Sequence, residues 1–219
     1  MLGRKPIIFT VHGFGKNLSH EFDPLAKYLK KRRYEVIQFD MFSVEDSDVN
    51  YLDWIKKAEQ ELQIQLKKKR PIVIIGFSMG GVIASYLASI YRVQSLILCA
   101  PAFQYFDIPN MTAQGIKMIK NSSGKQSSSS LSKNHYIAFT EVVSHYKSSI
   151  QHVDCPVYFI HGTSDDVIPV DSSRNAYRLV QGQKRMILLE DARHKFLYDG
   201  QMEQTAFVLI EEMIKGNIK

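Results

Sequence analysis

Six short apolar runs, separated by stretches of helical periodicity, constrain the fold of this chain more than any other feature. The runs are Pro6–Val11, Glu35–Phe39, Ile72–Ile75, Ser95–Cys99, Val157–Ile160 and Met186–Leu189. Apolar residues recur at helical spacing in Asp23–Arg33, Asp53–Lys69, Val82–Tyr91 and Glu203–Lys215. Continuous apolar strands that alternate with amphipathic helices indicate a parallel sheet covered on both faces. We therefore predict an α/β fold with a mostly parallel six-stranded sheet.

One long segment interrupts this alternation. A chain of 219 residues can bury a single large core, and we expect residues 1–219 to form one domain. Residues 103–152 do not continue the strand–helix rhythm, and we interpret them as a cap insertion. The segment contains the serine-rich stretch Asn121–Lys133, whose composition cannot pack a core, while aromatic residues flank it. The expectation is a small helical cap with a mobile loop.

The charge balance does not predict a nucleic-acid partner. The formal net charge is +6, but two basic runs, Lys30–Arg33 and Lys67–Arg70, each end a helical pattern. Cations at that position complement the negative end of the helix dipole and stay solvated. No nucleic-acid recognition motif accompanies them. Two cysteines, Cys99 and Cys155, are too few for a disulfide framework, and we expect both to be reduced and buried.

Other classes of partner are not indicated by the sequence either. No apolar run approaches the length of a membrane span, and no signal-peptide segment precedes the first strand. We therefore expect a cytoplasmic protein without stable membrane insertion. No metal-ligand cluster or cofactor fingerprint is visible, so the chemistry is expected to need neither a metal nor a cofactor. The oligomeric state is not encoded in any pattern that we recognise.

The glycine-rich turn Gly76-Phe77-Ser78-Met79-Gly80-Gly81 lies between a predicted buried strand and a predicted helix. The first five residues match G-x-S-x-G, the pattern that holds a serine nucleophile on a strained strand-to-helix turn. Gly76 and Gly80 would remove side chains that otherwise collide with neighbouring backbone. The alternative is a packing turn that holds a serine by chance. The flanking strand and helix favour Ser78 as a nucleophile.

A serine nucleophile needs a general base and an acid that orients it. In this kind of sheet the chain order is serine, acid, histidine. His194 lies just past the last predicted strand and is the candidate base. Asp165, in the loop after Val157–Ile160, is the preferred acid; Asp166 and Asp191 are the alternatives.

Two backbone N–H groups are candidates for the oxyanion hole. One is the N–H of Met79, which follows the nucleophile, and the other is the N–H of Phe14 in the loop after the first strand. Gly13 and Gly15 let that loop approach a substrate. His12 is expected to support the loop through hydrogen bonds and not to act as a base.

Taken together, these segments resemble the α/β-hydrolase family, and in particular small bacterial carboxylesterases and monoacylglycerol-lipase-like members. The matching segments, in the family's order, are His12-Gly13-Phe14-Gly15, Gly76–Gly81, His161-Gly162-Thr163-Ser164-Asp165 and His194. The resemblance implies a triad of Ser78, Asp165 and His194 with an oxyanion hole from Phe14 and Met79. It also implies a cap between the fourth and fifth strands. One segment departs from it, because Asp40–Asp46 stands where many lipase-branch members carry G-H-G-x-S.

The function expected from these residues is hydrolysis of carboxylic esters of small to medium acyl chain through an acyl-enzyme. The partner would be a small-molecule ester. Thioesterase, lysophospholipase or lipase, and peptidase are alternatives, because the same triad serves all of them. A non-catalytic binding protein would be expected to have lost a triad residue or an oxyanion-loop glycine, and all of these are present.

Overall fold

The computed structural model describes residues 4–104 and 131–218, and within them six strands form one sheet. The strands are β1 (Ile7–Val11), β2 (Glu35–Ile37), β3 (Ile72–Phe77), β4 (Ser95–Cys99), β5 (Val157–Gly162) and β6 (Lys184–Leu189). Their order in the sheet is β2-β1-β3-β4-β5-β6, and every neighbouring pair is parallel. The predicted α/β architecture is confirmed, and the described sheet is parallel throughout.

Helices connect the strands. They are α1 (Asp23–Lys31), α2 (Tyr51–Leu66), α3 (Met79–Ile90), α4 (Lys133–Tyr146), α5 (Val170–Leu179) and α6 (Glu203–Lys215), with 3-10 turns at Leu18–Phe22 and Lys147–His152. The helix predicted from Val82 begins at Met79, directly after the serine, so that boundary was wrong. Helix α5 lies in a segment for which no helix was predicted.

Two apolar layers hold the sheet between the helices. In β1, Ile7 and Phe9 face one layer and Ile8 faces the other, as the alternation of side chains along a strand requires. The first layer takes the buried faces of α2, α3, α4 and α5, and the second takes those of α1 and α6. Because the central strands are covered on both faces, their sequences are apolar without interruption.

The described part of the predicted cap insertion, residues 131–152, is helical. Helix α4 packs against α2 and α3, and the 3-10 turn Lys147–His152 continues it. Ser132 caps α4 in a reciprocal arrangement with His135. Residues 105–130, which include most of the serine-rich stretch, lie outside the described residues.

Both cysteines are free thiols, but they differ in burial. Cys99, the last residue of β4, is fully buried, whereas Cys155, just before β5, is only partly buried, so the prediction that both are buried is wrong for Cys155. The two positions are at opposite ends of adjacent parallel strands. Across the described ranges, no helix is long and apolar enough to cross a bilayer.

Candidate active site

The carboxyl ends of the parallel strands bring the candidate residues to one edge of the sheet. Ser78 follows β3, Asp165 follows β5, His194 follows β6, and the His12–Gly15 loop follows β1. Ligands of open α/β sheets bind at this edge. Non-glycine residues with positive φ also collect there: Leu18, Ser78, Ala100 and Asp191 are four of the six in the described chain. Such strain is concentrated at functional sites in proteins generally.

Ser78 occupies a strained position that its neighbours hold in place. Its backbone has φ 53° and ψ −121°, between the end of β3 and the start of α3. The Ser78 N–H donates to the carbonyl of Cys99 at 3.0 Å, and the Ser78 carbonyl accepts from the N–H groups of Gly81 and Ala102 at 2.9 and 3.0 Å. The turn is therefore bonded to β4 and to the loop after it, so the conformation does not depend on local preference alone.

The glycines on either side of Ser78 are required by close backbone approach. A Cβ at Gly80 would lie 2.1 Å from the Val11 carbonyl oxygen and 2.4 Å from that of His12. A Cβ at Gly76 would lie 2.6 Å from the Gly80 carbonyl oxygen. Contacts this short do not occur, so the first turn of α3 reaches β1 and its loop only because position 80 carries no side chain.

His194 and Asp165 are joined by a buried hydrogen bond. The His194 Nδ1–H donates to Asp165 Oδ2 at 2.8 Å, and the two side chains are 7% and 0% exposed. This bond fixes the tautomer, because Nδ1 carries the proton and Nε2 remains an acceptor. The His194 ring also packs on Phe77, the residue before Ser78, at a centroid distance of 4.9 Å. Within the described residues, no hydrogen bond joins Ser78 Oγ to the His194 ring; such bonds are commonly long without substrate.

Asp165 is held by more partners than the sequence indicated. Its Oδ1 accepts from the N–H groups of Val167 and Ile168, and its Oδ2 also lies 3.1 Å from His161 Nε2. Burial alone would raise the pKa of Asp165, but the hydrogen bonds from His161 and His194 outweigh it and hold this pKa below its usual range. The carboxyl is therefore ionised whenever the protein is folded near neutral pH.

The other two candidate acids lie apart from His194. Asp166 is exposed, and Asp191 is exposed with its backbone N–H bonded to Thr163 Oγ1 at 2.9 Å. Among the described residues, neither carboxyl has a hydrogen bond to His194. The geometry thus favours Asp165 over both alternatives.

His161, four residues before Asp165, is a partner of the acid that the sequence did not indicate. The side chain is buried, and its Nε2–H points at both Asp165 Oδ2 and the carbonyl of Ile168, the latter at 3.0 Å. Its Nδ1 is hydrogen-bonded to Ser173 Oγ at 2.7 Å. Carboxylate and carbonyl oxygens only accept, so Nε2 carries a proton and His161 acts as a donor that holds the acid loop.

His12 fixes the direction of the Phe14 N–H. The His12 Nε2 accepts from the N–H of Met41 at 2.9 Å, so Nδ1 carries the proton and donates to the Gly13 carbonyl at 2.7 Å. Burial lowers the pKa of His12 to about 4, which keeps this neutral form at physiological pH. The Gly13 carbonyl and the Phe14 N–H belong to one planar trans peptide, and they point in opposite directions.

The two candidate oxyanion donors, the N–H groups of Phe14 and Met79, are unpaired within the described residues. Met79 is the first residue of α3, where the helix leaves N–H groups unpaired and its dipole favours negative charge. Both groups are thus available to a ligand oxygen.

An aromatic cluster connects the Phe14 loop with the cap. The Phe14 ring lies 5.1 Å from the rings of both Tyr136 and Phe139 of α4, and it also packs near Trp54 and Phe42. Phe42 stacks on Trp54 at 4.4 Å. The cluster gives this side of the site an apolar wall.

The segment Asp40–Asp46, which departs from the lipase-branch pattern, has a structural role here. Met41 binds His12 through its N–H, and the carbonyl of Ser43 accepts from His135 Nε2 of α4 at 3.0 Å. These bonds link the loop after β2 to the first-strand loop and to the cap. Within the described residues, no cluster of His, Cys, Asp and Glu could hold a metal ion.

The fold and the site define the chain as an α/β protein whose serine turn, acid and histidine gather at the carboxyl edge of a parallel sheet. The family model described as the alpha/beta hydrolase fold matches residues 6–122, more than half of the chain. The protein therefore belongs to the α/β-hydrolase family.

Several curated proteins are similar in sequence. The Uncharacterized protein YfhR of Escherichia coli O157:H7 is 26% identical over 198 residues, covering 85% of this chain and 62% of YfhR. Monoacylglycerol lipase ABHD6 of Rattus norvegicus is 28% identical over 132 residues, covering 57% of this chain and 39% of the lipase. The chain spans less than two thirds of the length of these relatives.

Solved structures share the fold at low sequence identity. A structure from work on the lipolytic enzymes LipS and LipT, derived from a metagenome, has a TM-score of 0.79 at 14% identity, covering 98% of this chain and 95% of that one. A monoacylglycerol lipase of Paleococcus ferrophilus has a TM-score of 0.71 at 16% identity, covering 97% and 96%. This similarity extends across the sheet and its helices.

Proposed function

We propose that the protein is a serine hydrolase that cleaves carboxylic esters of small to medium acyl chain. Ser78 is the nucleophile, His194 the general base, Asp165 the orienting acid, and the N–H groups of Phe14 and Met79 the oxyanion hole. The observation that carries the proposal is the buried bond from His194 to Asp165 beside a strained serine turn. The esterase and lipase names among the relatives support it.

The reaction would proceed in two halves. Ser78 Oγ attacks the ester carbonyl while His194 Nε2 takes its proton, and the oxyanion forms between the Phe14 and Met79 N–H groups. His194 then gives the proton to the leaving alcohol, which leaves an acyl group on Ser78. Water attacks this acyl group with His194 again as the base, and the carboxylic acid departs. The negative charge of Asp165 stabilises the imidazolium at both stages.

The apolar wall argues for an acyl group rather than a charged substrate at this side of the site. Phe14, which donates the candidate oxyanion N–H, is packed among aromatic rings of the cap and of α2. An acyl chain bound beside that donor would contact aromatic carbon atoms and not charged groups. This surface would favour apolar acyl groups, whose transfer from water gains about 0.8 kcal/mol per buried CH₂.

The proposal is tested with a fluorophosphonate probe and a panel of esters. The purified protein is expected to react with the probe at one site, located by peptide mass on the Gly76–Gly81 turn, and to hydrolyse p-nitrophenyl acetate, butyrate and octanoate faster than palmitate. If the probe labels the protein but no ester is hydrolysed, the nucleophile would be supported and the expected substrates would become thioesters or peptides. Absence of labelling in the folded protein would contradict the serine-hydrolase assignment.

Replacing Asp165 with asparagine is expected to lower kcat by about 10⁴-fold with little change in KM. The asparagine oxygen can still accept from the Val167 and Ile168 N–H groups, but its amide N–H₂ cannot accept the His194 Nδ1–H. His194 would then adopt the wrong tautomer. The measurement is steady-state kinetics on p-nitrophenyl butyrate.

Asp166→Asn is the matched control, because it makes the same change one residue further along in an exposed side chain. Its kcat is expected to stay within about twofold of wild type, as for an exposed residue away from the chemistry. A larger loss in Asp166→Asn than in Asp165→Asn would reassign the acid.

A further inference from the structure

Glu21 is a buried carboxyl beside the site that the proposed reaction does not use. It lies in the 3-10 turn Leu18–Phe22, directly before α1, and its residue exposure is 4%. Ionisable side chains are almost never buried without partners. The partners of Glu21 indicate what it does.

Both carboxyl oxygens accept hydrogen bonds from loops of the site. Oε2 accepts from the N–H of Gly13 at 2.9 Å, and Oε1 accepts from the hydroxyl of Tyr198 at 3.3 Å. Tyr198 lies four residues after His194, and its ring packs edge-on against Phe77. The carboxyl therefore bridges the first-strand loop and the loop that carries the candidate base.

The carboxyl also lies beside the nucleophile. A Cβ built on Gly13 would be 3.1 Å from Ser78 Cβ and 3.2 Å from Glu21 Oε2, so these two groups flank the same point. Gly13 leaves that point empty. Glu21 Oε2 and Ser78 Cβ therefore both lie close to Gly13.

The Gly13 residue is thus held at both of its peptide groups. Glu21 accepts its N–H, and His12 donates to its carbonyl. The second of these peptides carries the Phe14 N–H. With both peptide planes fixed, the Phe14 N–H cannot rotate away from the direction set by the Gly13 carbonyl.

We propose that Glu21 is a positioning residue for the oxyanion hole. It holds Gly13 so that the Phe14 N–H faces Ser78, and it ties this loop to the His194 loop through Tyr198. The inference rests on the proposed serine-hydrolase function. A donor placed before the reaction needs no reorganisation as charge develops on the substrate oxygen.

Burial raises the pKa of Glu21 to about 7, and the bonds from Gly13 and Tyr198, with the charge of Lys195, moderate this rise. The folded protein therefore holds the proton more tightly than the unfolded chain, whose Glu pKa is near 4.5. The resulting stabilisation is fully present below about pH 4.5 and is lost as the pH rises through about 7. Two titratable groups act on Glu21. They are Tyr198 and Lys195, and both lie in the loop after β6.

The test compares Glu21→Ala with Glu21→Gln, with active sites counted by fluorophosphonate labelling. We expect Glu21→Ala to lower kcat per labelled site by about 10- to 100-fold, less than the 10²- to 10³-fold typical of a lost oxyanion donor. KM for p-nitrophenyl butyrate should change little. Glutamine can accept from Gly13 with its oxygen and donate to Tyr198 with its amide, so Glu21→Gln is expected to restore most of the rate.

An alkyl trifluoromethyl ketone separates positioning from folding. Ser78 Oγ adds to its carbonyl, the proton passes to His194, and the hemiketal oxygen keeps the negative charge. Affinity for this inhibitor should fall in Glu21→Ala by the same factor as kcat/KM. Glu211→Ala is the control. Glu211 lies on α6, is 9% exposed, and pairs with Arg32 at 2.8 Å, so this variant also removes a largely buried carboxyl but should keep kcat per site.

Stability against pH gives an independent readout if Glu21→Ala does not fold. The urea midpoint of the wild type should decrease between pH 5 and pH 8 by more than that of Glu21→Gln. An unchanged kcat per site in Glu21→Ala, or Glu21→Gln as slow as Glu21→Ala, would overturn the inference while leaving the function standing. A wild type that neither labels nor hydrolyses any ester would instead overturn the function.

Discussion

Replacing Ser78 with alanine is expected to lower kcat for p-nitrophenyl butyrate by about 10⁶-fold, the loss typical of removing the nucleophile of a serine triad. Alanine keeps the Cβ and the backbone conformation, so the oxyanion donors and the His194–Asp165 pair stay in place. A residual rate of about 10³- to 10⁴-fold over water is expected from these remaining groups. The measurement is steady-state hydrolysis together with loss of fluorophosphonate labelling.

Two further variants separate chemistry from folding in this experiment. Ser85→Ala removes another buried hydroxyl of α3, one that donates to the Gly81 carbonyl at 2.8 Å, and should keep kcat within about twofold. Ser78→Gly should be as inactive as Ser78→Ala but more stable by about 1–3 kcal/mol, because glycine relieves the strain of φ 53°. More than about 1% of wild-type activity in purified Ser78→Ala would show that another group is the nucleophile.

The alternation of apolar strands and helices was sufficient to predict the architecture. A strand that is buried on both faces, such as Ile72–Phe77, has a continuous run of apolar residues. A helix with one exposed face instead has apolar residues three or four positions apart, so the two patterns can be told apart. The boundaries were less accurate. Helix α3 begins three residues earlier than predicted because Gly80 and Gly81 carry no side chains and so add nothing to the apolar periodicity.

Helix α5 could not be predicted from hydrophobic periodicity. Its buried residues are Ser172, Ser173 and Ala176, so the face toward the sheet is made of small and polar side chains. Ser172 donates to the Pro101 carbonyl and Ser173 binds the ring of His161. The burial of these hydroxyls is stabilised by hydrogen bonds to distant residues, which no local pattern encodes.

Some residues of the candidate site can likewise be predicted from the sequence, and others cannot. Ser78 and its glycines follow from turn chemistry within six residues, and the position of His194 follows from strand order. Glu21, by contrast, has the sequence features of an acidic residue at the start of a helix, where a carboxylate is ordinarily exposed. Its role depends on Tyr198, 177 positions away, and only the folded chain brings the two together.

Replacing Gly80 with alanine is expected to destabilise the fold by more than about 4 kcal/mol, or to abolish soluble expression. The new Cβ would lie 2.1 Å from the Val11 carbonyl oxygen, 2.4 Å from the His12 carbonyl oxygen and 2.6 Å from the Val11 carbonyl carbon. All three are backbone atoms of β1 and the loop after it, so no side chain can rotate to make room. Helix propensity alone predicts the opposite sign, a gain of about 1 kcal/mol.

Gly182→Ala provides the matched control in the same protein. The nearest atom to a Cβ at Gly182 is the Asp154 carbonyl oxygen at 4.0 Å, an ordinary contact, so this variant should match or slightly exceed the wild type in stability. Urea denaturation of both variants, followed by circular dichroism, measures the difference. If Gly80→Ala unfolded at the wild-type midpoint, α3 could not approach β1 as closely as described. The Met79 N–H would then lie too far from the Phe14 loop for the two to share one oxyanion.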